Sequence, residues 1–165
     1  MKDVSVSFGM VHKPAPLWHG RCFIWTEGKT PGWPNMVAWA IEPIRDPSVL
    51  ITDDNDAWRA AVDDILSRAG FQTIQATCGE EAIEVVHREW IDIVLIDFHM
   101  PRLDGIQTLR IIRASGLWVP AVMMTAHPDD VPPEEVEDLQ IRDVIEKPAQ
   151  GRQIVTLVTR VVRWW

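Results

Sequence analysis

The chain has little cysteine, little positive charge and no long apolar run, and each shortage removes a class of function. Two cysteines, Cys22 and Cys78, stand among 165 residues. They are too few for a disulfide framework and read as reduced thiols. Charged residues or prolines interrupt every apolar run before it reaches the length of a membrane span. Lys2 beside Asp3, with no continuous apolar segment after them, argues against a secretory signal peptide. The 16 Lys and Arg are outnumbered by 24 Asp and Glu, for a formal net charge of -8. Nucleic-acid binding needs clustered cations that displace counterions, and an anionic membrane surface makes a similar demand. The expectation is a cytoplasmic protein that engages neither nucleic acid nor membrane.

What is present divides at Pro47. The composition, 47% hydrophobic and 24% charged, is globular, and the length suits one domain with an appendage. Residues 1–47 form an irregular Pro/Trp-rich N-terminal extension. Six prolines (Pro14, Pro16, Pro31, Pro34, Pro43 and Pro47) break any helix there, and Trp18, Trp25, Trp33 and Trp39 follow no sustained period. Met36 is a second candidate start. His12, His19 and Cys22 match no zinc-ligand spacing and lack a fourth partner.

Residues 48–165 are regular. Short apolar runs at 49–51, 71–75, 91–96, 120–124 and 144–145 predict strands. Segments 56–69, 80–89, 106–114, 133–139 and 151–163 predict helices, the first with a core stripe of Ala57, Ala61, Ile65 and Leu66 and a C-terminal stop at Gly70. Pro133 suits the first turn of the fourth helix, and its acidic residues suit a solvated face. Five strands alternating with five helices predict an α/β fold, a parallel sheet covered on both faces. In such folds chemistry gathers at the carboxyl ends of the strands.

The polar residues fall at those ends. Strand one delivers Asp53 and Asp54, strand three Asp97, strand four Thr125 with Ala126, and strand five Lys147 with Pro148. In a doubly wound sheet strands one, three, four and five can be neighbours, so these side chains converge on one rim. Three carboxylates held together in a partly desolvated site repel one another strongly. Lys147 offsets one charge and a hard divalent ion can offset the rest. Oxygen-only ligands at an open rim suit Mg²⁺. A carboxylate beside Mg²⁺ and a lysine is a plausible phosphoryl acceptor, because positioning and charge neutralisation are most of what that transfer requires. Taken singly, each residue is more readily a solvated loop acid or surface lysine; five together at strand ends, in this order, are not.

The pair Asp53-Asp54 with Asn55, the run Asp97-Phe98-His99-Met100-Pro101-Arg102-Leu103-Asp104-Gly105, the Met124-Thr125-Ala126 turn and Lys147-Pro148 resemble the receiver domain of bacterial response regulators. The resemblance covers about the last 120 residues, a domain of usual size. It implies a CheY-like (flavodoxin-like) three-layer sandwich with strand order 2-1-3-4-5 and five flanking helices. It implies that Asp97 takes a phosphoryl group from a histidine kinase or phosphotransfer protein. Asp53, Asp54, Asp97 and the backbone carbonyl of His99 would hold Mg²⁺, while Thr125 and Lys147 would grip the phosphoryl group. Ala126, Pro148 and Gly105 would support them, Gly105 through a permissive backbone in a tight turn and Lys147-Pro148 as a cis peptide. The signal would leave through the face of helix four, strand five and helix five, to a downstream protein target or a second copy of the chain. The protein would be no enzyme beyond its own phosphorylation and dephosphorylation.

Two positions depart from the pattern or tune it. Val144 stands where the family commonly has Tyr or Phe, three residues before the lysine, which keeps open an alternative: a pseudo-receiver that binds partners without phosphotransfer. His99 and His127 border the path of attacking water and are candidates for setting the phosphoryl lifetime. A haloacid-dehalogenase-type phosphatase would need an Asp where His99 stands. A nucleotide binder would need Ser, Thr or Gly where Asp53-Asp54-Asn55-Asp56 stands. On the last helix Ile154, Leu157, Val158 and Val161 predict the core stripe. Val155, Val162, Trp164 and Trp165 add apolar surface that suits a second subunit or the Trp-rich extension.

Overall fold

The structure, a computed structural model, describes residues 45–164 and side chains as far as Arg163. The extension up to residue 44, with Met36, the His12, His19 and Cys22 set and four tryptophans, lies outside the described residues, as do the side chains of Trp164 and Trp165.

Strands and helices alternate in chain order: β1 (Ser48–Thr52), α1 (Asp56–Arg68), β2 (Gln72–Ala76), α2 (Gly79–Arg88), β3 (Ile93–Asp97), α3 (Gly105–Ala114), β4 (Ala121–Thr125), α4 (Pro133–Asp138), β5 (Ile141–Glu146) and α5 (Gly151–Trp164). A single 3-10 turn, Pro128–Asp130, precedes α4. The five strands form one parallel sheet in the order β2-β1-β3-β4-β5, as expected. Alternation along each strand divides the core between the two faces. Leu50, Val94, Ile96 and Met123 pack with α2 and α3 residues, including Ala82, Val86, Leu109 and Ile112. Val49, Ile51, Leu95 and Met124 pack with Val62 and Leu66 of α1 and Ile154, Leu157, Val158 and Val161 of α5. The three central strands are buried along their whole length, which is why they read as continuous apolar runs rather than alternating ones.

Three local expectations need correction. The inward face of α1 is Arg59, Val62 and Leu66, all buried, with Trp58 and Ile65 half-buried beside them, whereas Ala57 and Ala61 are exposed. Alanine has too little apolar surface to set the phase of a helix against tryptophan, valine and leucine. The strand expected at 144–145 runs from Ile141 to Glu146. It is an edge strand, where Arg142 and Asp143 interrupt the apolar pattern and the pairing slips by one residue. Val155 and Val162 are half-buried against the core rather than free apolar surface.

The stop after α1 is as the sequence suggests. Ala69 ends the helix and Gly70 takes φ +90°, while the Gly70 and Phe71 amides donate to the Ser67 and Leu66 carbonyls, both at 3.1 Å. Among the described residues no helix is long and apolar enough to cross a membrane.

Candidate functional site

Between β1 and β3 the order of the sheet reverses, so the loops that follow these two strands open a crevice at their carboxyl ends. Asp53 directly follows β1, Asp97 is the last residue of β3, Thr125 the last of β4, and Lys147 directly follows β5. Asp53 is fully buried, Asp97 nearly so, and Asp54 is exposed. One carboxylate oxygen from each of the three lies within 4.8 Å of the others. The Lys147 ammonium donates to Asp53 Oδ2 at 2.5 Å and to Asp97 Oδ1 at 2.7 Å. The Asp53 Oδ1 accepts from the Asn55 amide at 2.8 Å, so both oxygens of this buried group are engaged.

Three carboxylates against one ammonium leave two negative charges without a protein partner in the cluster itself. Burial pushes the Asp97 carboxyl above its usual value. The Lys147 hydrogen bond and charge oppose that shift, and the Asp53 and Asp54 charges reinforce it. An all-oxygen donor set with surplus negative charge is what a hard divalent cation requires, and the cluster can hold a metal ion.

The loop carrying the acidic pair is tied from below by Arg59, a buried guanidinium on α1. Its Nη1 donates to the Asp53 carbonyl at 2.7 Å, its Nε to Gln75 Oε1 on β2 at 3.1 Å, and its Nη2 to Asp56 at 2.6 Å. Asn55 caps the same helix, its Oδ1 accepting from the Trp58 amide at 3.0 Å. Sequence reasoning passed over Arg59. The available signal was a cation on the apolar stripe of α1, within two turns of the acidic pair.

After Asp97 the chain turns into α3, which Asp104 and Gln107 open with a reciprocal capping box. Gly105 has a different purpose from the one expected. It is the first residue of α3, and the left-handed backbone in this loop belongs to Arg102, at φ 69°. A β-carbon on Gly105 would stand 2.5 Å from the Asp97 carbonyl oxygen and 2.9 Å from Met123 Sδ. Glycine is needed because the helix start lies against the backbone of Asp97.

The Thr125 side chain is fully buried, and its hydroxyl accepts from the His127 amide at 3.1 Å. The Lys147 amide donates to the Thr125 carbonyl at 2.7 Å, which sets β4 and the lysine side by side. The Lys147-Pro148 peptide is cis, as the sequence suggested. Ala126 and His127 are exposed. The exposed His99 ring stands edge-on to Phe98, with Nε2 3.6 Å from Asp130. Val144 is half-buried and packs against the α2–α3 side of the core. The structure thus brings Asp53, Asp54, Asp97 and Lys147 together, while the Thr125 hydroxyl is engaged with the main chain of its own loop.

Residues 49–159 match the family model described as the response regulator receiver domain. Among curated proteins, the transcriptional regulatory protein AfsQ1 of Streptomyces coelicolor is 30% identical over 117 residues, which span 71% of this chain and 52% of that protein. The response regulator UvrY of Escherichia coli is 29% identical over 116 residues, spanning 69% of this chain and 53% of UvrY. The chain therefore matches about half the length of these curated relatives. Among solved structures, the receiver domain of the Francisella response regulator 1452 is 26% identical with a TM-score of 0.65, covering 72% of this chain and 98% of that one. The chemotaxis response regulator CheY4 of Vibrio cholerae shares the fold, with a TM-score of 0.65 at 23% identity over 70% of this chain and 98% of its own.

Proposed function

Because the chain belongs to the response regulator receiver domain family, we propose that it is a phosphorylation-dependent switch of a two-component system with Asp97 as the phosphoryl acceptor. The observation that carries this reading is the Lys147 ammonium shared between Asp97 and the buried Asp53, with Asp54 close by. In the transfer, an Asp97 carboxylate oxygen attacks phosphorus in line. The phosphorus–nitrogen bond of a phosphohistidine donor breaks, and the imidazole leaves with the bonding pair and takes up a proton. The product on Asp97 is a mixed carboxylic–phosphoric anhydride. Return to the resting state is attack by water on phosphorus, which breaks the new phosphorus–oxygen bond and releases inorganic phosphate.

Asp53, Asp54, Asp97 and the His99 carbonyl are the residues that would hold Mg²⁺. When bound, the ion would neutralise charge on the phosphoryl oxygens. Lys147 supplies the protein's own cation, shifting from Asp97 to a phosphoryl oxygen. The Thr125 hydroxyl would turn from its own loop to donate to another. Gly105 keeps the start of α3 clear of Asp97, and Ala126 and Pro148 shape the two loops on either side.

The switch is read by other proteins. A histidine kinase or phosphotransfer protein supplies the phosphoryl group, and a downstream protein target receives the signal. The α4–β5–α5 face is the surface for that target or for a second copy of the chain. Residues 48–165 form the receiver and 1–47 an extension, and the reading carries a cytoplasmic location. The chain acts as an enzyme only on its own phosphorylation and dephosphorylation. The pseudo-receiver alternative draws on Val144 alone, whereas the whole acidic cluster with its lysine supports phosphotransfer.

Beryllofluoride with Mg²⁺, a stable mimic of the phosphoryl group, tests the reading. Wild type is expected to bind it with a change in tryptophan fluorescence, and Asp97→Asn is expected not to. Equal responses from the two proteins, or none from wild type, would refute it.

A further inference from the structure

The Lys147 ammonium has a third neighbour besides its two carboxylates. Trp58, in the first turn of α1, presents its ring to Nζ at 5.6 Å from the centroid. That is inside the range of about 6 Å over which a cation is drawn to an indole face. The ring packs against the core formed by α1, α5 and the sheet. Its Nε1 is buried without a hydrogen-bond partner, one of two such side-chain atoms among the described residues. A buried N–H left unpaired is destabilising, and a wholly apolar side chain would avoid that cost. What the indole supplies here is a negative π face turned to a cation.

We infer that Trp58 is a positioning residue for Lys147, its ring forming the third side of the ammonium's seat. The inference rests on the reading of Asp97 as phosphoryl acceptor. Lysine carries its charge on a flexible stem with many rotamers. Asp53 and Asp97 hold the head by directed hydrogen bonds, and the ring holds it by a contact with little directional demand. That difference suits a group that must move. As Lys147 leaves Asp97 for a phosphoryl oxygen, hydrogen bonds have to be exchanged, whereas the attraction to the ring persists through a small displacement. The lysine side chain is only 17% exposed, so the ring acts where water competes weakly.

The full-length protein is phosphorylated with acetyl phosphate and Mg²⁺ as wild type, Trp58→Phe, Trp58→Leu and Trp58→Met. Trp58→Leu is expected to slow phosphorylation roughly three- to tenfold, the scale of one partly desolvated cation–π contact. Trp58→Phe, which keeps a ring, should recover most of the rate. Trp58→Met is read in place of Trp58→Leu should the latter unfold at the assay temperature. Melting temperatures of the same variants, measured without metal in wild-type and Lys147→Met backgrounds, separate positioning from packing. The loss caused by Trp58→Leu should be smaller once the lysine is gone. Equal rates for wild type and Trp58→Leu, or equal melting losses in both backgrounds, would overturn the inference while leaving Asp97 as acceptor. A wild type that takes no phosphoryl group would overturn the functional reading, and this inference with it.

Discussion

Replacing Lys147 by methionine keeps an unbranched side chain one atom shorter and removes the only ammonium that, among the described residues, contacts Asp53 and Asp97. In wild type the lysine head lies 2.5 Å from a fully buried carboxylate and 2.7 Å from one that is 6% exposed. Breaking a buried ion pair by deleting one partner costs about 3–5 kcal/mol, because the remaining charge is left without compensation. The lysine is partly exposed and Asp54 faces solvent, so the lower end applies, about 3 kcal/mol. For a folded unit of this size that corresponds to a fall in melting temperature of roughly 10 °C. Circular dichroism melts in EDTA measure it. Added Mg²⁺ should then stabilise Lys147→Met more than wild type, since the variant offers a cation three carboxylates with no ammonium among them. A melting temperature within about 2 °C of wild type in EDTA, or a smaller Mg²⁺ effect in the variant, would refute the electrostatic reasoning.

Other consequences follow from the same geometry. The folded protein holds the Asp97 proton at a pH where the unfolded chain has lost it, because burial raises this carboxyl. Stability contributed by the group therefore grows as pH falls through the raised value and is complete below the ordinary aspartate range of about 4. Without metal, Asp97→Asn should accordingly be more stable than wild type at neutral pH, an advantage that shrinks on acidification; urea unfolding across pH checks it. Gly105→Ala should lose about 1–3 kcal/mol, because a methyl group cannot share space with the Asp97 carbonyl without displacing the loop; chemical denaturation measures the loss. Arg59→Met frees the Asp53 carbonyl and Gln75 together, and should cost about 2–3 kcal/mol while weakening Mg²⁺ binding; calorimetry and a thermal melt report the two effects.

The sequence carried the fold because its central strands are buried on both faces and so appear as uninterrupted apolar runs. It carried the acidic cluster because Asp97 ends such a run and Asp53, with Asp54 next to it, follows another. Asp53, Asp54, Asp97 and Lys147 could be placed on one rim without knowing any side-chain torsion. What escaped depends on direction rather than order. The phase of α1 was misjudged on two alanines, and with it the inward turn of Arg59 and Trp58. A polar edge strand looks like a loop until its partner is known, which shortened β5. Gly105 was assigned to a turn, since close approach between a helix start and a strand end is a tertiary fact that leaves no local mark. The Thr125 hydroxyl, which the family resemblance implies grips a phosphoryl group, accepts from the His127 amide in its own loop, a local contact that residue order does not reveal.

Mass spectrometry of the intact protein, followed by peptide mapping after exposure to a phosphohistidine donor and Mg²⁺, tests the acidic cluster most directly. One phosphoryl group per chain, carried by the peptide containing Asp97 and lost in Asp97→Asn, is the predicted result. A phosphoryl group on another residue, or equal uptake by the Asn variant, would contradict it.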